Sequence, residues 1–166
     1  KYPDVSFPKK FYKDRFSYKG VKNVSDMFTK RNLFAIAQLY NAIIELPLLN
    51  KNLLLLAFTN TLLHVSKLKA ENVRPLGVNN FWIPDDYIEE NVWWRFVDRV
   101  NNVKIAKEVV AKKALTNGVS NPTANIYNKS SLKMDEIKNE SIDYLITDPP
   151  YGDTIQYSEL SYIWNC

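Results

Sequence analysis

Cysteine and histidine are almost absent from this 166-residue chain, which has one of each, Cys166 and His64. A single cysteine excludes a disulfide framework, and one histidine excludes a histidine-rich zinc cluster within the chain. We therefore predict no bound metal. The longest apolar run, 53–58, is too short to span a bilayer, and the first residues lack a signal-peptide pattern. These absences predict a cytoplasmic protein with no membrane association.

Glycine is also scarce. The four glycines, Gly20, Gly77, Gly118 and Gly152, lie far apart, so no Gly-rich loop can form. Enzymes with a Rossmann-type fold hold their cofactor at such a loop, because only glycine lets the backbone approach the ligand closely. The chain also does not begin with Met. We interpret it as a piece of a longer polypeptide, whose remainder supplies any cofactor loop, and we expect the isolated segment to be inactive without that loop.

The composition is that of a globular protein. Hydrophobic residues make up 46% of the chain, so disorder is not expected. The formal net charge of +4 fits a nucleic-acid partner without demanding one.

The N-terminal two thirds divide into an irregular stretch and a helical one. Residues 1–24 interleave aromatic and basic side chains around prolines, which fits either a surface that tracks a nucleic-acid strand or a solvated loop anchored by its rings. Across 25–115, apolar residues recur at three- and four-residue steps. This spacing predicts helices over about 29–46, 51–67 and 85–114.

The last part, 120–166, has a different pattern. The run 142–147 is short, rich in Ile, Leu and Tyr, and bounded by breakers. Such a run is typical of a strand buried on both faces of a parallel sheet. We therefore predict an α/β fold for the chain, with the helical region preceding part of a sheet.

A distinctive loop follows that predicted strand. Pro149 and Pro150 cannot continue a hydrogen-bonded ladder, so the strand should stop at Asp148. Ligands in open α/β sheets lie beyond the carboxyl ends of strands. Asp148 and Tyr151 would then be presented where chemistry is usually done.

The loop also carries a family resemblance. Asp148-Pro149-Pro150-Tyr151 resembles the D-P-P-Y signature of S-adenosylmethionine-dependent methyltransferases that modify the exocyclic amino group of adenine or cytosine in DNA. Stretches 27–33, 58–65, 82–87 and 148–164 resemble one branch, the large bacterial and archaeal DNA methylases with long insertions. The resemblance implies a Rossmann-like class I methyltransferase sheet, with this chain as an internal segment and 148–151 as its catalytic loop.

An exocyclic amino group is a poor nucleophile, because its lone pair is delocalised into the ring. Acceptors for the amino protons would hold it in line with the cofactor's methyl group, and the resemblance assigns this role to the Asp148 carboxylate and the Pro149 carbonyl. The adjacent Pro150 stiffens the turn. Tyr151 would stack on a base extruded from the duplex.

The resemblance also indicates where the cofactor S-adenosylmethionine would lie. Members of the family often hold its adenine with an acidic residue in the loop before the catalytic strand. Here the nearest residues are Asn128 and Ser130, which we predict to bind the cofactor together with Asp148.

Four residues are candidates for nucleic-acid contacts. Lys30 and Arg31 lie in the first turn of a predicted helix, where positive charge opposes the helix dipole. That placement indicates either an anionic partner or an ordinary surface pair. Asn79 and Trp82 would contact a base by hydrogen bonding or stacking, or would plug a gap between helices.

The leading prediction is thus a segment of a site-specific DNA methyltransferase, with DNA as its partner. RNA is a less favoured substrate, although some guanine-N2 methyltransferases of RNA have a similar D-P-P-Y-G loop. Gly152 would match the glycine of that loop. A third hypothesis is that the chain is a catalytically silent segment that binds nucleic acid or serves as a scaffold. Neither the target base nor membership of a restriction-modification system follows from the sequence.

Overall fold

The computed structural model describes residues 4–8, 19–71, 83–116 and 124–165. Short 3₁₀ turns at Val24–Met27 and Gly152–Thr154 precede the first and last α-helices of these ranges. The α-helices are α1 (Lys30–Ile44), α2 (Leu48–His64), α3 (Val92–Thr116) and α4 (Tyr157–Asn165).

Helices α1 and α2 form a hairpin whose link is residues 45–47. Thr29 caps α1, because its hydroxyl accepts a hydrogen bond from the Asn32 backbone N–H at 3.2 Å. Pro47 ends the link and α2 begins immediately after it, three residues before the predicted start at 51. A proline is tolerated there because the first N–H groups of a helix have no partner inside it.

Helix α3 begins at Val92, although the sequence predicts a start near 85. The side chain of Asn91 accepts a hydrogen bond from the Trp94 N–H at 3.0 Å, which caps the helix at this point. Upstream, the Ile88 N–H donates to the Lys69 carbonyl at 2.8 Å, which ties the non-helical residues 85–91 to the chain that follows α2. Past Val103 nearly every residue of α3 is exposed, so its second half projects from the core.

The core lies between the first three helices. Helix α2 packs mainly against α3 and less extensively against α1. Met27, Ala57 and Thr61 are fully buried, and Leu68 and Val65 nearly so. Asn32 is a buried polar residue whose Nδ2 donates to the carbonyls of Val65 and Glu90, at 3.0 Å each. One amide therefore joins α1 to the chain after α2 and to the start of α3.

The α/β prediction is wrong for the part of the chain that the structure describes. Residues 4–8, 19–71, 83–116 and 124–165 contain no strand, and their one isolated β-bridge is the antiparallel pair Ser6 and Asn23. No Rossmann-like sheet is present there. The run 142–147 is not in a strand, and Tyr144, Leu145 and Ile146 are 81%, 76% and 81% exposed. A strand is stable only when neighbouring strands pair with it, and an apolar run carries no information about whether they exist.

Helix α4, which follows the exposed run 142–147, packs against the helical core. Ile163 is buried, and the Tyr162 hydroxyl donates to the Ser6 carbonyl at 2.9 Å. The ring of Tyr162 also lies 5.5 Å from that of Phe7. The Phe7 N–H in turn donates to the Lys22 carbonyl, so residues 4–8 are joined both to α4 and to the chain before α1.

Candidate functional site

The candidate site is the loop 148–151, which lies between the exposed run 142–147 and the 3₁₀ turn that precedes α4. The Thr154 N–H donates to the Tyr151 carbonyl at 3.2 Å and closes that turn. Gly152 has a φ of 58°, a conformation that favours glycine. The chain can therefore reverse direction directly after Tyr151.

Helix α4 fixes the C-terminal side of the loop. The backbone N–H of Tyr151 donates to the hydroxyl of Tyr157 at 3.2 Å. At the other end of α4, the Trp164 indole Nε1 donates to the Thr59 carbonyl of α2 at 3.0 Å. The loop is thereby connected to the helical core through one short helix.

The side chains of the loop face solvent. Asp148, Pro149 and Pro150 are exposed, and Tyr151 is 65% exposed. Among the described residues, none forms an ion pair or a hydrogen bond with the Asp148 carboxylate. This carboxylate and the Pro149 carbonyl are hydrogen-bond acceptors without a partner among the described residues, and they adjoin an exposed tyrosine ring. The arrangement can bind a planar ligand that carries an amino group.

The two predicted cofactor residues do not lie in an enclosed site. Asn128 and Ser130 are both exposed, and the Ser130 hydroxyl accepts a hydrogen bond from the Leu132 N–H at 3.3 Å. Within the described ranges no hydrogen bond joins either residue to Asp148 or Tyr151. Two exposed side chains do not by themselves enclose S-adenosylmethionine, so their role in binding it stays a prediction.

The predicted nucleic-acid contacts are not gathered at the loop. Asn79 and Trp82 lie outside the described residues. Lys30 is exposed at the start of α1, and Arg31 next to it forms a bidentate ion pair with Glu89, with both N–O distances 2.8 Å. Arg31 is thus already paired within the chain.

The contact of Glu89 with the start of α1 is not predicted from the sequence. Its carboxylate also accepts a hydrogen bond from the Thr29 hydroxyl at 2.7 Å, so it lies at the N-terminus of α1 and offsets the adverse charge of the first turn. The hydrogen bonds from Arg31 and Thr29 lower the pKa of Glu89 below its ordinary value. No local pattern reveals this contact, because Glu89 lies 58 residues along the chain from Arg31.

His64, at the end of α2, lies beside a cluster of charges on α3. Burial lowers the pKa of His64, and the guanidinium groups of Arg95 and Arg99 lower it further. Its Nδ1 is buried without a hydrogen-bond partner among the described residues. Arg95 is itself paired with Glu90, at 2.5 Å between Nε and Oε2. We therefore assign His64 a neutral imidazole in the folded protein.

The described ranges also bear on metal binding and on membrane insertion. Within them, no group of three or more His, Cys, Asp or Glu side chains is placed to hold a metal ion. The helices of the same ranges include none long and apolar enough to cross a membrane.

Comparison of the chain with protein-family models, with curated proteins and with solved structures found no match. Inference about function therefore depends on the residues and on their geometry.

Proposed function

We propose that this chain carries the base-holding part of a DNA methyltransferase that transfers a methyl group from S-adenosylmethionine to the exocyclic amino group of adenine or cytosine. The observation that carries the proposal is the loop 148–151. It combines the D-P-P-Y sequence with an unpaired, exposed carboxylate and an exposed tyrosine ring. Such an enzyme would meet its DNA in the cytoplasm.

The proposed role of the loop is to position the base. The Asp148 carboxylate and the Pro149 carbonyl accept hydrogen bonds from the amino group, which holds the nitrogen lone pair towards the incoming methyl group. Tyr151 stacks on the face of the extruded base and offsets part of the few kcal/mol that extrusion costs. S-adenosylmethionine supplies the activated methyl group when it is bound. We assign no step to Asn128 or Ser130, because they form no cradle for it.

Electrostatic contact with the DNA backbone is proposed for Lys30. It is exposed on the first turn of α1, whereas the neighbouring Arg31 is engaged by Glu89. A phosphate contact would make binding weaken with salt. We place no base contact on this turn.

Substitution of the loop tests the proposal. In the full-length protein, with labelled S-adenosylmethionine and duplex DNA as substrates, Asp148→Asn should lower the rate of methyl transfer by at least about 100-fold, because it removes a charged acceptor at the reacting nitrogen. Asp143→Asn is a matched control, since Asp143 is an exposed aspartate on the same segment. Equal activity of the wild type and Asp148→Asn would contradict the assigned role.

A further inference from the structure

A cavity separate from the loop 148–151 lies between α1, α2 and α4. Its volume is about 420 Å³, within the range of about 300–1,000 Å³ that is typical of small-molecule sites. Four aromatic side chains line it: Phe28, Tyr40, Phe58 and Trp164. Phe28 and Phe58 are buried, whereas Tyr40 and Trp164 are 44% and 41% exposed, so solvent reaches part of the aromatic lining.

The chemistry of the lining restricts the ligand to a neutral molecule. None of the described residues that line the cavity is charged. A phosphate, or the charged methionine end of S-adenosylmethionine, would lose its hydration there without a counter-ion. The aromatic rings instead favour a flat ligand, which gains contact area by stacking.

Of the polar side chains in the lining, the Tyr40 hydroxyl and the Asn41 amide form no hydrogen bond with described residues, and the others are engaged. The Ser25 hydroxyl donates to Asp4 at 2.5 Å, the Thr59 hydroxyl donates to the Leu56 carbonyl at 2.9 Å, and Trp164 donates to the Thr59 carbonyl. The half-buried amide of Asn41 has no side-chain hydrogen bond to any described residue. An amide presents a donor and an acceptor side by side. A purely apolar ligand would cover this group without satisfying it, which is unfavourable.

We propose that the cavity binds a nucleobase that carries an amino group, with adenine as the best match. Its ring would stack on the aromatic side chains of the lining, among them Tyr40 and Trp164. Its amino group and adjacent ring nitrogen would form two hydrogen bonds with the Asn41 amide, the pairing that asparagine makes with adenine in DNA complexes. This site is distinct from the proposed position of the reacting base at Tyr151.

The cavity and the loop share one helix. Trp164, in the cavity wall, lies seven residues after Tyr157, which is about 10 Å along α4. Tyr157 holds the backbone of Tyr151. A base in the cavity would therefore order α4 against the core and steady the loop at its other end.

Calorimetric titration of the full chain with adenosine, and with purine riboside, which lacks the amino group, tests this site. Adenosine should bind at least about five-fold more tightly than purine riboside. Asn41→Ala should remove that difference, whereas Asn102→Ala, an exposed asparagine of α3, should preserve it. Ala37→Phe should abolish binding of both nucleosides, because Ala37 lines the cavity and the larger ring would fill it.

The titration uses neither DNA nor S-adenosylmethionine, so its outcome is independent of methyl transfer. Absence of adenosine binding would overturn the site, even if the protein methylates DNA. Equal affinity for the two nucleosides, or unchanged adenosine binding by Asn41→Ala, would also overturn it. Selective adenosine binding that depends on Asn41 would support it, even if methyl transfer is not detected.

Discussion

Replacement of Asn32 by alanine should destabilise the protein more than most single changes in it. Asn32 is only 3% exposed, and its Nδ2 donates to two backbone carbonyls at 3.0 Å each. Each hydrogen bond contributes about 0.5–1.5 kcal/mol net, and the buried Val65 carbonyl, left without this donor, adds a penalty of about 1 kcal/mol or more. Because relaxation recovers part of this loss, we expect the free energy of unfolding to fall by about 2–4 kcal/mol.

Urea denaturation followed by circular dichroism measures this change. For a protein of this size the free energy of unfolding falls by about 2 kcal/mol per molar urea, so the midpoint should shift down by about 1–2 M. Asn32→Asp separates hydrogen bonding from packing, since it keeps the side-chain shape and removes both donors. It should cost at least as much as Asn32→Ala, because a carboxylate would face two carbonyl oxygens.

Asn102→Ala is the control for the loss of an asparagine side chain from a helix. Asn102 is exposed on α3, so its replacement should change the free energy of unfolding by less than about 0.5 kcal/mol. A change below about 0.5 kcal/mol for Asn32→Ala, or wild-type stability of Asn32→Asp, would refute the assigned role of this amide.

Two further predictions concern the dependence of stability on pH. Hydrogen bonds from Arg31 and Thr29 lower the pKa of Glu89, so the stabilisation that its carboxylate provides is present above the ordinary pKa of 4.5 and is lost as pH falls through the lower pKa of the folded state. Glu89→Gln should therefore be less stable than the wild type at pH 7, and the two proteins should converge in stability in strong acid. A difference in stability that stays constant across pH would contradict the pairing. Burial and the positive charge of Arg95 lower the pKa of His64 below its ordinary 6.5. The folded state therefore binds fewer protons than the unfolded state, and the stability of the protein should decline as pH falls below 6.5. His64→Gln should remove this decline, and an unchanged dependence of stability on pH would show that the imidazole is not buried in its neutral form.

The sequence predicts the helices because their signals are local. The apolar spacing and the cap at Thr29 define α1 within a single stretch, and the structure places α1 at Lys30–Ile44 against a predicted 29–46. The start of α3 illustrates the limit of such signals. Pro84 and the acids after it indicate a helix start, but Asn91 is the residue that caps α3, and residues 85–91 are held instead by contacts with Lys69 and with α1.

The predicted sheet depends on a pattern that forms a strand only when other segments of the chain pair with it. Residues 142–147 have the composition of a buried strand, yet the described residues supply no neighbouring strand and the apolar side chains of the run are exposed. Pairing between distant segments is a tertiary property that composition does not report. The same limit applies to the Glu89–Arg31 pair and to the buried amide of Asn32, which join parts of the chain that are far apart in sequence.

The loop 148–151 is predictable from the sequence, whereas the cavity is not. The loop 148–151 was recognised from its sequence, and the structure adds that its acceptors are unpaired and that Tyr157 fixes one side of it. The cavity lined by Tyr40, Asn41 and Trp164 had no signal in the sequence, since its walls come from three separate helices.

Identification of the methylated product tests the central proposal most directly. DNA and RNA would each be incubated with the full-length protein and S-adenosylmethionine, digested to nucleosides and analysed by mass spectrometry. We expect adenine or cytosine methylated on its exocyclic amino group, in DNA, and none with Asp148→Ala. Methylated nucleosides in RNA alone, or equal amounts of product from the wild type and Asp148→Ala, would contradict the proposal.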